Sequence, residues 1–111
     1  MLTVTFFRDP EGTLRGARFS GHAGYADEGE DIVCAAASVL AVTIVNSIEK
    51  FTKDEFEHCA VNEEEGFLSF LLKTVSPDSR LLLDTLLLGL RDTADSYGEH
   101  IQIQFEEVPL C

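Results

Sequence analysis

The chain has 111 residues, 45% of them hydrophobic, which suits one domain over residues 1–111 with a single modest core. Lys and Arg total 8 against 20 Asp and Glu, a net charge of −12. That field repels nucleic-acid phosphates, and it serves either attraction of a basic partner or plain solubility. The three cysteines, Cys34, Cys59 and Cys111, follow no metal-ligand spacing and form no Cys-x-x-Cys. Free thiols in a reducing compartment are therefore expected, with no metal and no cofactor.

Leu2, Val4 and Phe6 alternate with Thr3, Thr5 and Phe7, the period of a strand. Residues 1–9 lack a basic segment followed by a long apolar one, so no signal peptide is expected there. Asp9-Pro-Glu-Gly-Thr13 is a turn, with Pro10 presetting φ and Gly12 tolerating a positive φ. Leu14 to Gly21 is the hairpin partner, with Ala17 and Phe19 on one face, and it delivers His22 at its end. Residues 23–30 carry Gly24, Gly29 and three acids without an apolar period. They are expected to form a loop, either a lid around Tyr25 or an ordinary solvated connection.

A helix is predicted from Asp31, as N-cap, to about Phe51. Its apolar residues run nearly all the way round until Asn46, which predicts a buried helix. The apolar run from Cys34 to Val45 is interrupted by Ser38 and Thr43 and is too short to span a bilayer, so a soluble cytoplasmic protein is expected. Glu55 to Val61 is a third strand with Phe56 and His58 on one face and Cys59 on the other. Neighbours that point to opposite faces cannot grip one ion together. Asn62 to Gly66 is a turn and Phe67 to Lys73 a fourth strand. Ser76-Pro77-Asp78 opens a second helix, with Ser as N-cap, Pro in the first turn and an acid facing the dipole. Gly98 is expected to end it. Its seven leucines between Leu81 and Leu90 exceed one core-facing stripe and predict a partner surface, a second copy of this chain. Glu99 to Glu107 is a final strand. The order β-β-α-β-β-α-β gives an α/β two-layer domain with both helices on one sheet face.

Chemistry concentrates in Ser20 to Ser38. A thiol is a useful nucleophile as thiolate, which an imidazolium and a helix N-terminus both favour. His22 and Asp31-capped helix amides would supply these to Cys34, and the amides would also receive an oxyanion. Ser38 lies one turn beyond Cys34 and can reach the site or bond a helix carbonyl. The plainer reading stays open: a Cys in an apolar run is usually core, and a His beside Gly is often a turn residue.

Gly21-His22-Ala23 followed by Asp31-Ile-Val-Cys34-Ala35, with Ser38 one turn on, resembles the bacterial ribosomal-processing cysteine proteases of the Prp type. The resemblance implies an endopeptidase that removes an N-terminal extension from a large-subunit ribosomal protein. It implies Cys34 as nucleophile and His22 as base, with Asp31 and Ser38 in support. It also implies an apolar cleft beside Cys34 for a Phe-Phe pair and a homodimer, while the glycine content of the intervening segment predicts a flexible loop that takes in Gly21, Ala23, Gly24, Tyr25 and Gly29. The basic substrate gives the acidic balance a purpose. Two alternatives need no peptide cleavage: a ribosome-assembly or binding module using the Leu-rich helix, and a redox sensor pairing Cys34 with Cys59 or Cys111.

Overall fold

The computed structural model describes residues 1–21, 28–62, 67–98 and 100–109, with backbone alone at 28–31 and 67. In chain order the elements are β1 (Leu2–Arg8), β2 (Leu14–Ser20), α1 (Glu28–Phe51), β3 (Phe56–Asn62), β4 (Phe67–Leu72), α2 (Pro77–Ser96) and β5 (Ile101–Glu107). The strands make one mixed sheet in the order β3-β4-β2-β1-β5. β1 pairs antiparallel with β2 and parallel with β5, while β2–β4 and β3–β4 are antiparallel. The sequence-predicted two-layer α/β domain is the observed one.

Strand alternation builds one face of the sheet. Val4 stands opposite Phe19, and Phe6 opposite Ala17. The same row continues to Phe70 on β4 and Phe105 on β5. Phe6, Phe70, Leu72 and Val4 are wholly buried there under Ala41 and Ile48 of α1 and Leu83, Leu86 and Leu90 of α2. These apolar side chains supply the main driving force, about 1.5–3 kcal/mol for each large one removed from water.

The β1–β2 turn forms as its composition predicts. Gly12 has φ +86°, and the Asp9 carboxylate accepts from the amides of Glu11 and Thr13. Arg15, buried like Asp9, stands 3.6 Å from it and donates to the carbonyls of Leu72 and Lys73. This ties the hairpin to the far end of β4. At the start of α2, Ser76 is the N-cap with its hydroxyl accepting from Ser79 N, and Pro77 follows in the first turn. The helix closes at a Tyr97 cap, one residue before Gly98.

Three expectations need correction. First, α1 starts at Glu28, so Asp31 is its fourth residue and not its N-cap, and residues 28–30 are helix and not loop. Acidic residues are favoured in a helix first turn by the macrodipole, which extends the helix back through Gly29 despite its low propensity. Second, a bulge between Phe56 and His58 pairs Phe56 with Leu72 but His58 with Leu71. Since Leu71 and Leu72 point oppositely, so do Phe56 and His58. Phe56 packs edge-on against Phe70 in the core, and His58 Nε2 meets Ser69 Oγ at 3.0 Å on the open face.

Third, α1 is not buried all round. Ile32 and Val39 are 56% and 69% exposed, beside exposed Ala35 and Ala36. Two helices side by side on a sheet leave each an outer face, and here that face is apolar. The stretch Ile32–Phe51 is also long and apolar enough to meet a membrane-span criterion, which the shorter run ending at Val45 did not suggest. Its inner residues Val33, Ala37, Ala41, Ile44 and Ile48 are nonetheless packed into the core of the domain.

Candidate active site

Cys34 is the seventh residue of α1, half-buried and packed against the edge of the core, next to buried Val33. Its own amide is therefore inside the i→i−4 ladder. The helix amides without intrahelical acceptors are those of residues 28–30, one turn earlier. Helix Cα–Cβ bonds tilt toward the N-terminus, so the Cys34 side chain leans toward that turn. The macrodipole weakens beyond the first turn, so thiolate formation at position 34 depends more on a cationic partner than the sequence reading supposed. Ser38 follows one turn on, exposed, and borders a shallow depression with Val39, Val42 and Thr43.

The other half of the motif leaves β2. Thr3 stands opposite Ser20, the last strand residue, and Gly21 follows with φ +94°. His22, Ala23, Gly24 and Tyr25 lie outside the described residues, as does the Asp31 side chain, whereas the backbone at Gly29 is helical. The described residues thus bring Cys34 and Ser38 onto one helix flank. The expected Cys34–His22 pairing, the lid and the role of the Asp31 carboxylate fall outside them.

Cys59 and His58 lie on edge strand β3. Cys59 is a free, exposed thiol. Desolvation first, and the Glu49 carboxylate second, push its pKa above the usual thiol value, so it is a poor nucleophile at neutral pH. Glu49 lies fifteen residues along α1 from Cys34, about 22 Å at 1.5 Å per residue. That separation disfavours a Cys34–Cys59 disulfide, which needs Cα atoms within about 7 Å. Cys111 is outside the described residues. Among the described residues no three His, Cys, Asp or Glu side chains are grouped to hold a metal.

The model of the family described as cysteine protease Prp matches residues 1–102, which take in both halves of the motif. The chain belongs to the Prp cysteine protease family. Among Prp relatives, the ribosomal processing cysteine protease Prp of Staphylococcus aureus is 28% identical over 109 residues, covering 96% of this chain and 100% of that protein. The protein of the same name from Mycoplasma pneumoniae is 34% identical over 87 residues, 77% of this chain and 81% of the relative. The crystal structure of the S. aureus Prp, an essential ribosomal processing protease in complex with a substrate peptide, superposes with a TM-score of 0.85 at 27% identity. It covers 96% of this chain and 100% of that one. A second S. aureus Prp structure, with a covalently linked product peptide, gives 0.83 at 28% identity over the same shares. The chain is thus a hydrolase, a cysteine protease, on a Prp fold.

Sequence reasoning missed two features near this site. One is the left-handed backbone at Gly21, for which the Gly-His pair at a strand end is the only signal. The other is the approach of the N-terminal carbonyl to it, which no local pattern encodes.

Proposed function

We propose that this chain is the endopeptidase that removes an N-terminal extension from a basic ribosomal protein, with Cys34 as nucleophile and His22 as base. The observation that carries the reading is the whole-length Prp match, with Cys34 on the α1 flank that opens past Ser38 to solvent. The covalently linked product peptide in the S. aureus relative supports a covalent route.

In this mechanism His22 accepts the Cys34 proton, and the thiolate attacks the scissile carbonyl carbon. The oxyanion is stabilised by amides of the first α1 turn, toward which Cys34 leans. Collapse expels the amine, which takes the proton from His22, and leaves a thioester on Cys34. Water, deprotonated by His22, then attacks the thioester and releases a carboxylate and the thiol. Asp31 and Ser38 support the site, and Ala23 to Tyr25 belong to a loop over the peptide.

Three further attributes complete the proposal. The enzyme is cytoplasmic, in keeping with free thiols. It is a homodimer, supported by the apolar outer face of α1 and by Leu81 and Leu88 on α2, which are 66% and 62% exposed. Its net charge of −12 accelerates encounter with a cationic substrate. The test is incubation with a ribosomal protein precursor, read by intact mass. A single N-terminal cut that disappears when Cys34 is alkylated supports the proposal, and an intact precursor at enzyme excess overturns it.

A further inference from the structure

α2 presents to solvent a stripe that the cleavage scheme leaves unused. Leu81, Asp84, Leu88, Asp92 and Asp95 are all exposed and recur at the three- and four-residue spacing of one helix face, opposite the buried Leu83, Leu86 and Leu90. Leu81 and Leu88 stand seven residues apart, about 10 Å along the axis. Among the described residues the three aspartates make no ion pair, and the stripe itself holds no Lys or Arg. Arg91 lies to one side, its guanidinium 5.9 Å from the Phe105 ring of β5. The stripe also has a fixed relation to the nucleophile. Thr52 Oγ1, just past the end of α1, is 3.5 Å from Ser79 Oγ at the start of α2, and Leu40 lies against Gly89, so the two helices run antiparallel. Cys34 is six residues before Leu40 and Asp95 six after Gly89, which sets these two at about the same level. From that level the stripe runs about 21 Å along α2 to Leu81.

Exposed leucines call for a covering partner, and the aspartates between them decide which. Two copies of the stripe set face to face would oppose like charges with no base in the stripe to offset them. The outer face of α1 suits a second copy better, since the chain carries no charge from Ile32 to Ile48. We infer that the α2 stripe is a docking surface for a basic segment of the substrate, which sets lysines or arginines against Asp84, Asp92 and Asp95 and apolar side chains over Leu81 and Leu88. This segment lies outside the residues held at the scissile bond, because the stripe leads away from Cys34. The inference rests on the substrate being the basic ribosomal protein precursor of the proposed function. It assigns part of the work of the acidic balance to three carboxylates at one place on the surface, and not to the whole field.

The test measures, by titration calorimetry, binding of the ribosomal protein precursor and of a synthetic peptide comprising only its N-terminal segment, both to Cys34→Ala protein. Three further sets of substitutions are made in that protein. One joins Asp84→Asn, Asp92→Asn and Asp95→Asn, and a second joins Leu81→Ala and Leu88→Ala. The third joins Glu49→Gln, Glu55→Gln and Glu57→Gln, which removes as many charges from exposed positions off the stripe. The first two sets should each weaken precursor binding about tenfold and peptide binding less than about twofold, whereas the third should change precursor binding less than about twofold. Precursor affinity unchanged in both stripe sets overturns the inference, as does an equal loss in the glutamate set, which would make the effect one of net charge. An equal loss for the short peptide overturns it too, by placing the stripe at the scissile segment. A leucine variant that sediments as monomer with precursor affinity intact assigns the leucines to a second copy and overturns it likewise. The protease assignment fails separately, when the wild-type enzyme leaves the precursor intact whatever the affinities.

Discussion

Replacing Asp54 by Ala should lower stability by about 3 kcal/mol without altering the cleavage chemistry. Asp54 lies between α1 and β3 and gathers the start of α2. Its Oδ2 accepts from Ser76 N at 2.9 Å, Ser76 Oγ at 2.6 Å and Ser79 Oγ at 2.5 Å, and its Oδ1 accepts from Thr74 Oγ1 at 3.2 Å. Water can replace the carboxylate at Thr74 and at the half-buried Ser76. Ser79 depends on the carboxylate most, because Ser79 is fully buried beneath it and its next hydroxyl neighbour, Thr52 Oγ1, is at 3.5 Å. The unsatisfied Ser79 hydroxyl costs about 1–3 kcal/mol. Loss of the bond that orients the Ser76 cap adds about 1 kcal/mol. For 111 residues the total is a fall in Tm of about 12 °C.

The acid limb carries an independent sign. Desolvation raises the Asp54 pKa, but hydrogen bonds from Ser76, Ser79 and Thr74 together outweigh it, leaving the value below 3.8. A depressed carboxylate stabilises the fold above its unfolded pKa, and that contribution disappears as pH falls through the folded value. The Tm gap between wild type and Asp54→Asn should therefore be full at pH 7 and shrink steadily below about pH 4. Thermal unfolding by circular dichroism at both pH values measures it. An Asp54→Ala Tm within about 2 °C of wild type at pH 7 would refute the energetic argument.

Sedimentation at micromolar concentration should show a dimer for the wild type. Val39→Glu and Leu88→Glu, made separately, should shift it toward monomer if either face is buried in the assembly, and wild type sedimenting as monomer would remove the dimer. Raising ionic strength should lower kcat/KM for a basic substrate through slower association and leave kcat nearly constant, whereas a flat response would return the net charge to solubility alone. Iodoacetamide at neutral pH should label Cys34 well before Cys59, as judged by peptide mass, because burial and Glu49 hold the Cys59 thiol protonated; faster labelling at Cys59 would contradict that account.

Most of the fold is legible because local chemistry and global placement agree. Leu2, Val4 and Phe6 face the helices as their alternation demands, and Ser76-Pro77-Asp78 opens α2 with each residue suited to its position. Where one signal serves two outcomes, the sequence misleads. A helix apolar on every side reads the same whether it is buried or has an uncovered outer face, and Ile32 and Val39 show the second case. Asp31 has the residue type of an N-cap, yet acids also favour the turn that in fact contains it. The β3 bulge reverses His58 relative to Phe56, and nothing in Phe-Glu-His announces the extra residue, because bulges are set by pairing across strands. At the site, the motif spacing identifies Cys34 and its helix. The carbonyl that approaches Gly21 comes from Met1, twenty residues away in sequence, and only the sheet brings them together.

The central claim is that the sulfur of Cys34 makes the covalent bond to the substrate. Intact-mass analysis of precursor incubated with Cys34→Ala, beside Cys59→Ala and Cys111→Ala, tests it directly. Ala is a strong helix former at a half-buried position, so the Cys34→Ala protein should fold with unchanged circular dichroism. It should bind the substrate peptide and release no N-terminal fragment, while the other two variants cut at the wild-type rate. A folded Cys34→Ala protein that still releases the fragment would contradict the account.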